Sequence, residues 1–339
     1  MKEVRDFNVL DSDAHARDQD ELIEPYLDEP FRKRSRPFLP REIYDRSLGG
    51  KLGKSGIKHE ERLAAMDTQE IDSAVLYPTN GLGIGRIREP DYAAALCRAY
   101  NDYIADYCKV SPRLKAVANL PIYRPQEAAT ELKRAVTKLG LVGGMLAAQA
   151  HGKNLASPEF HPLYEEAQRL GAPVAVHAFG GDEAGSEIFD QFICLHTTGH
   201  PFPVLRQLTA MIFGGIPEMF PELKLAYLEI GCGWIPYWAE RMDEEWELRG
   251  KAEAPLCKKK PSEYLTGGQI YYGCEPDEKM LGFIVGEIGS KTLMFASDYP
   301  HWDMTWPDSA VLIWRREDLS PEAKKDILGD NARRFYNLS

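Results

Sequence analysis

Short apolar runs recur along the whole chain, at residues 7–10, 74–77, 114–119, 142–146, 174–176, 225–228, 270–272 and 292–295, each rich in β-formers and bounded by turn residues. Most are separated by stretches with helical periodicity, among them 92–109, 125–139, 158–170, 203–213 and 278–286. Strands that alternate with helices pair in parallel, and eight such units predict a closed (β/α)8 TIM barrel rather than an open sheet. Two stretches exceed the minimal repeat. Residues 17–67 are too long for one loop after the first strand, and residues 240–268, charged and then basic, follow the sixth; both are expected as insertions over or beside the barrel mouth. Residues 321–338 predict a closing helix with Ser320 as N-cap and Pro321 in its first turn. With no internal repeat or linker, residues 1–339 read as one domain.

A chain of 339 residues is long enough to bury a large core without disulfide staples. The six cysteines lie far apart with no C-x-x-C pair and read as reduced thiols. Neither a signal-peptide pattern nor a membrane-length apolar run is present, so a cytoplasmic location is expected. The net charge of −11 argues against nucleic-acid binding. The basic islands Arg32 to Arg36 and Lys258 to Lys260 read as solvated loops rather than anion sites.

What changes the picture is how the apolar runs end. Asp11, Asp13 and His15 follow the first run, and period-two alternation puts all three on one side of an extended segment. The run Pro173 to His177 ends in a histidine before Gly180 and Gly181, the run Leu223 to Glu229 ends in an acid before Gly231 and Gly233, and Asp298 closes the last run. An acid at the end of one buried strand is most simply a cap or turn residue. Four polar endings at four strands instead predict one metal site at a shared rim, since a buried charge is costly unless paired or metal-bound.

His196 and His200 lie four apart after the fifth strand, where a capping or surface role competes with a direct one; His200, just before a proline, is the stronger catalytic candidate. His301 either bonds a ligand or stiffens its loop, and the second reading is preferred; His59, His151 and His161 read as surface residues. Tyr77, Phe179, Trp234, Tyr299, Trp302 and Trp306 are expected to wall a substrate pocket, while Trp238 and Trp246 read as core. Arg86 and Arg88 read as surface ion pairs before carboxylate binders. Gly81, Gly83 and Gly85 have the wrong spacing for a dinucleotide loop.

Taken together, D-x-D-x-H at 11–15, V-x-V-H at 174–177, the run Leu223 to Asp243, F-A-S-D-Y-P-H ending at His301 and G-D-N-A-R-R-F-Y ending at Tyr336 resemble the amidohydrolase-2 family, which includes aminocarboxymuconate-semialdehyde and resorcylate decarboxylases along with hydrolases. The resemblance covers essentially the whole chain. It implies a barrel holding a divalent metal (Zn, Mn or Fe) through Asp13, His15, His177 and Asp298, and a homodimer, for which 17–67 is a candidate interface. Two departures stand out: the family's H-x-H or E-x-H is D-x-H here, a harder donor set, and Glu229 stands where the decarboxylases carry a histidine. A carboxylate at 229 fits a general base for water or a ligand to a second ion. The expectation is therefore a metal-dependent hydrolase that uses Glu229 or Asp298 as base to attack an ester, lactone, thioester or amide of a fairly bulky small molecule. The alternatives are a metal-dependent decarboxylase of an aromatic or unsaturated acid, with Asp298 as the acid, and a metal-stabilised binding barrel without catalysis.

Overall fold

The computed structural model describes residues 7–39, 58–179 and 185–339. Among these residues nine strands form: β1 (Leu10–Ala16), β2 (Ser73–Pro78), β3 (Leu114–Ala116), β4 (Ala118–Asn119), β5 (Gly144–Ala147), β6 (Val174–His177), β7 (Leu225–Leu228), β8 (Ile270–Cys274) and β9 (Leu293–Phe295). They make two parallel sheets, β1-β2-β3 and β4-β5-β6-β7-β8-β9. The single run expected at 114–119 is thus divided at Val117, whose N–H donates to the Leu76 carbonyl at 3.2 Å while Ala118 N–H donates to Gly143 at 2.9 Å. On the far side, Ser12 Oγ donates to the Phe295 carbonyl at 2.8 Å. Asp298 N–H donates to Asp13 at 3.0 Å and His15 N–H to Tyr299 at 2.8 Å, so the chain leaving β9 runs along β1.

Strand residues sort by alternation into two cores. Leu10, Val75, Tyr77, Val117, Met145, Ala175, Ala226, Leu228, Tyr271 and Met294 pack with Phe335 and Tyr336 of the closing helix in one interior cluster. Their neighbours along each strand, such as Leu76, Val176, Tyr227 and Phe295, pack in the larger cluster that includes the helices. Burial on both faces is why these strands read as near-continuous apolar runs. In β1 strict alternation from Leu10 would send Asp13 and His15 outward. A register shift between Asp11 and Ala14 intervenes. One extra residue reverses the facing of everything after it, so Ala14 and Ala16 join the helix-facing core. Asp11, expected on the side of Asp13 and His15, instead accepts from Ser297 N–H at 3.0 Å.

The helices follow the expected periodicity with shifted ends: Pro90–Cys108, Pro125–Arg134, His161–Leu170, Pro201–Phe213 and Leu281–Ile288. Proline opens three of them because its missing N–H is unneeded in the first turn. Ser320 caps the closing helical segment by accepting from Ala323 N–H at 3.1 Å. Residues 240–268 take in the end of helix Ile235–Glu245, a wider turn Trp246–Gly250, a short helix Lys251–Glu253, and Pro261–Thr266. Of the stretch 17–67, residues 40–57 lie outside the described residues, as do Gly180 and Gly181.

The basic islands are paired at the surface, Arg34 with Glu89 and Arg36 with Glu21 and Glu24. Gly81 and Gly85 are packing residues. A side chain at Gly85 would place Cβ 1.9 Å from the Gln149 carbonyl, and one at Gly81 would meet the Asp18 carboxylate at 2.9 Å. The Asn80 and Gly81 N–H groups donate to Asp18 at 2.7 and 2.6 Å, so a carboxylate of the chain itself fills this turn. Among the described residues no helix is long and apolar enough to cross a membrane, and all six cysteines are free.

Candidate active site

Two histidines are fixed in the tautomer that metal ligation requires. His15, at the C-terminal end of β1, directs Nδ1 at the Pro78 carbonyl, 2.7 Å away. His177, ending β6, directs Nδ1 at the Ala178 carbonyl, 2.8 Å away. A carbonyl only accepts, so each Nδ1 carries a hydrogen and each Nε2 is the nitrogen left to offer a lone pair to an ion once any proton on it is displaced. Both Nε2 atoms face carboxylates: His177 Nε2 lies 3.2 Å from Asp13 Oδ1, and His15 Nε2 lies 3.1 Å from Asp298 Oδ1 and 3.6 Å from Asp13 Oδ1. His15 Nε2 is buried and makes no hydrogen bond of acceptable geometry.

Glu229 and Asp298 enter from the residues just beyond β7 and β9, and both hold left-handed backbone, with φ of 61° and 55°. Such conformations cost a non-glycine residue roughly 1–2 kcal/mol and gather at functional sites. The strain turns each carboxylate back over the strand ends. Glu229 Oε2 comes within 3.3 Å of His177 Nδ1, and Glu229 Oε1 within 3.3 Å of His301 Nδ1. His301 Nδ1 also lies 2.6 Å from Asp298 Oδ1. The His301 ring stacks on His15 at 3.9 Å, and its Nε2 sits 3.3 Å from the Thr79 hydroxyl.

One donor atom from each of Asp13, His15 and His177 lies within 4.8 Å of the others, and the same holds for His15, Glu229, Asp298 and His301. Ligands about 2.0–2.2 Å from a shared ion stand up to roughly 4.4 Å apart, a few tenths of an ångström from this spacing, and the cluster is able to hold a divalent metal ion. Its electrostatics point the same way. Burial opposes the charged form of His15, yet the Asp298 and Asp13 carboxylates outweigh it and push the imidazole up to about 9. Burial would likewise raise Asp298, but His301 and His15 hold it below the ordinary carboxylate range. Three carboxylates around one proton on His15 make a site with surplus negative charge, which a cation neutralises while displacing that proton.

The structure therefore brings Asp13, His15, His177, Glu229 and Asp298 together. His301, read from the sequence as a loop residue, belongs with them; the signal was its spacing of three from Asp298. A cavity of about 250 Å³ opens on the cluster, lined by Asp13, Glu229 and Asp298 together with His196, His200, Glu275 and Asp303. Burial, then His196, depresses His200 to about 3, so its imidazole is neutral. None of the six aromatic side chains expected to wall the pocket is among the lining residues. Tyr77 lies in the interior cluster, its hydroxyl 2.7 Å from that of Tyr336. Phe179 and Tyr299 are buried, the latter beneath the Arg62 guanidinium. Trp234 turns its Nε1 to the Gly231 carbonyl and packs on Tyr272, and Trp302 packs against Phe192 and His196 from behind. Large rings near strand ends serve burial, and the smaller polar side chains face the cavity. Neither Glu275 nor Asp303 was singled out in the sequence, because a loop acid carries no periodic signal.

Metal-ligating acids and imidazoles gathered at the C-terminal ends of parallel strands define a metal-dependent enzyme of the kind built on strand-end loops. The Amidohydro_2 family model, described as Amidohydrolase, matches residues 11–338, and the chain belongs to this family. It is 28% identical over 279 residues to the 2-amino-3-carboxymuconate-6-semialdehyde decarboxylase of Dictyostelium discoideum, spanning 82% of this chain and 76% of that one. With the gamma-resorcylate decarboxylase of Rhodococcus jostii it shares 26% identity over 277 residues, spanning 74% of this chain and 81% of the other. The structure of 5-carboxyvanillate decarboxylase from Novosphingobium aromaticivorans, bound to manganese and 4-hydroxy-3-methoxy-5-nitrobenzoic acid, matches with a TM-score of 0.78 over 98% of this chain and 97% of that chain. At 20% identity that likeness shows the fold. These relatives overturn the expectation of a hydrolase, since they are named for decarboxylation. The physical reason is that a carboxylate at 229 does not discriminate: donors that suit a water-activating ion equally suit one that binds a substrate carboxylate.

Proposed function

We propose that the chain is a divalent-metal-dependent decarboxylase of an aromatic or unsaturated carboxylic acid, formed by one domain whose strands close into a (β/α)8 barrel. The observation that carries the reading is the similarity, over 82% of the chain, to an aminocarboxymuconate-semialdehyde decarboxylase. Barrel closure is supported by the hydrogen bonds that tie β1 to the chain leaving β9, and by counting β3 and β4 as one interrupted stave.

In this reading Asp13, His15, His177 and Asp298 hold the ion, with Glu229 beside it. A bound divalent ion would supply the positive charge that draws in the substrate carboxylate and stabilises the electron density left when carbon dioxide departs. The residues of the chain do the rest. His200, neutral and in the cavity wall, offers a hydrogen bond without adding charge. As the carbon–carboxylate bond breaks, its electron pair stays on the substrate carbon, which takes a proton relayed from solvent through His301 to Asp298, since Asp298 itself rests ionised. His301 Nδ1, 2.6 Å from Asp298 Oδ1, is placed to pass that proton on, with Thr79 holding the opposite edge of the ring. One proton is consumed per carbon dioxide released, and solvent supplies it through the cavity.

The test is carbon dioxide release from a panel of hydroxybenzoates and unsaturated acids by protein loaded with manganese or zinc, with Asp298→Asn as control. Release by the wild type that is lost in the variant supports the reading. No release from any acid by fully loaded protein refutes it.

A further inference from the structure

Asp11 is the carboxylate of the D-x-D-x-H stretch that the donor cluster leaves out. It is buried, and it is not among the residues lining the cavity. Its Oδ1 accepts from Ser297 N–H at 3.0 Å and from Asp13 N–H at 3.2 Å, and its Oδ2 accepts from the Ser297 hydroxyl. Ser297 Oγ in turn accepts from Tyr299 N–H at 3.1 Å, which closes a short turn around Asp298. Four amides carry the chain past the end of β9, and each has a defined acceptor. Those of Ala296 and Asp298 go to main-chain carbonyls, Cys274 at 3.2 Å and Asp13 at 3.0 Å. Those of Ser297 and Tyr299, on either side of Asp298, go to the side chains of Asp11 and Ser297.

Asp298 holds a φ of 55°, a backbone that a residue with a Cβ disfavours and that persists only where its surroundings over-determine it. In this conformation its Oδ1 reaches His15 Nε2 at 3.1 Å and His301 Nδ1 at 2.6 Å. The bond from Asp298 N–H to Asp13 keeps the chain beside β1, but the peptides on each side decide where the carboxylate points. Resting on the reading that Asp298 holds the ion, we propose that Asp11 is a positioning residue for Asp298: through Ser297 it locks the left-handed turn that directs the Asp298 carboxylate into the donor cluster. The bulge in β1 makes this possible, because it turns Asp13 and His15 toward the ion while Asp11 stays on the side of Ser297. One stretch of five residues then supplies two donors and the brace for a third that lies at the far end of the chain.

A double-mutant cycle tests this, read as manganese affinity from the free-ion signal in electron paramagnetic resonance at one fixed pH. Asp11→Asn keeps the size of the side chain and an acceptor for Ser297 N–H, and loses the acceptor for the Ser297 hydroxyl. It is expected to weaken manganese binding about tenfold in the wild-type background, as loss of a group that orients a ligand does. In the Asp298→Asn background, where the oriented charge is already gone, the same change is expected to alter affinity by less than about twofold. Equal weakening in both backgrounds overturns the inference, because Asp11 then acts through its neighbour Asp13 or through the fold at large; no weakening in the wild-type background overturns it as well. Ser297→Ala removes the same link from the other side and is expected to follow Asp11→Asn in both backgrounds. It decides the case if the melting temperature of metal-free Asp11→Asn shows that this variant does not fold, and wild-type affinity in Ser297→Ala overturns the inference. A wild type that binds no manganese, or an Asp298→Asn variant that binds it as tightly as the wild type, takes Asp298 away from the ion and this inference with it. Affinity is read without turnover, so a failure to release carbon dioxide overturns the decarboxylase reading and leaves the brace on Asp298 in place.

Discussion

Removal of the metal is the perturbation whose size follows most directly from the site. Asp13, Glu229 and Asp298 crowd around His15 in buried surroundings, so the metal-free protein carries repulsion that a cation relieves. A ligand that binds only the folded state stabilises it by RT ln(1 + [L]/Kd), or about 2.7 kcal/mol at a hundredfold excess over Kd. Unfolding entropy of roughly 2.1 cal/mol/K per residue over 339 residues gives about 0.7 kcal/mol/K. The melting temperature should therefore rise by about 4 °C at that excess. Asp298→Asn keeps a residue type that tolerates left-handed backbone but removes a charged oxygen. A weakening of about a hundredfold would leave about 0.4 kcal/mol, less than about 1 °C, at the same free metal. The assay is differential scanning calorimetry of chelator-treated protein titrated with manganese, wild type beside variant. A wild-type shift that stays within about 1 °C at saturation, or an equal shift in the variant, would refute the assignment of this cluster as the cation site.

Three further outcomes follow from the same geometry. Because the metal-free site pushes His15 up to about 9, cation binding must expel its proton; apparent affinity should rise about tenfold per pH unit from neutrality toward that value and then level. Calorimetry in buffers of different ionisation enthalpy checks this, and a pH-independent affinity contradicts it. His200 is buried neutral, depressed to about 3 from 6.5, so the unfolded chain binds the extra proton between those values and stability falls as pH falls, by at most about 1.4 kcal/mol per unit. Urea unfolding at several pH values should show His200→Asn losing less stability on acidification than the wild type, and parallel slopes would contradict the burial argument. Glu229→Gly relieves a φ of 61° and should raise metal-free stability by about 1 kcal/mol, net of the added freedom of the unfolded chain, while shrinking the metal-induced shift; a less stable metal-free variant argues that the Glu229 conformation is unstrained.

How much of this was legible in the sequence depends on which physical signal each feature leaves. The strand at 225–228 was read to the residue because apolar burial on both faces leaves a run with sharp ends. The strand-end acids and histidines were legible for the converse reason: an ionisable group closing such a run is costly unless something pairs with it. The bulge in β1 left no such mark. Alternation alone groups Asp11 with Asp13 and His15, and only the pairing with β2 reveals the extra residue that turns Asp13 and His15 inward and leaves Asp11 holding Ser297. The aromatic wall failed on size: rings as large as Tyr77 and Tyr299 are taken up by the core before they reach a cavity of about 250 Å³.

The mistaken expectation of hydrolysis has a more general cause. Glu229 was weighed as an isolated substitution, a carboxylate in place of an imidazole, and a carboxylate near a metal suggests a base for water. In the structure Glu229 is bound into a group. It faces His177 at 3.3 Å on one side and His301 at 3.3 Å on the other, and His301 Nδ1 in turn lies 2.6 Å from Asp298 Oδ1. A carboxylate so engaged sets charge and ring orientation for its neighbours, which serves proton delivery to carbon as well as proton removal from water. The donor cluster therefore fixes that a cation binds and leaves the reaction undetermined. What separates the reactions lies farther out, in the group that hands over the proton and in the wall that meets the rest of the substrate. In the proposed reaction Asp298 with His301 behind it is the first, and the cavity wall beyond the donor cluster is the second. Changes confined to that wall should alter which acid is taken while leaving cation affinity and the pH dependence of cation binding where they were.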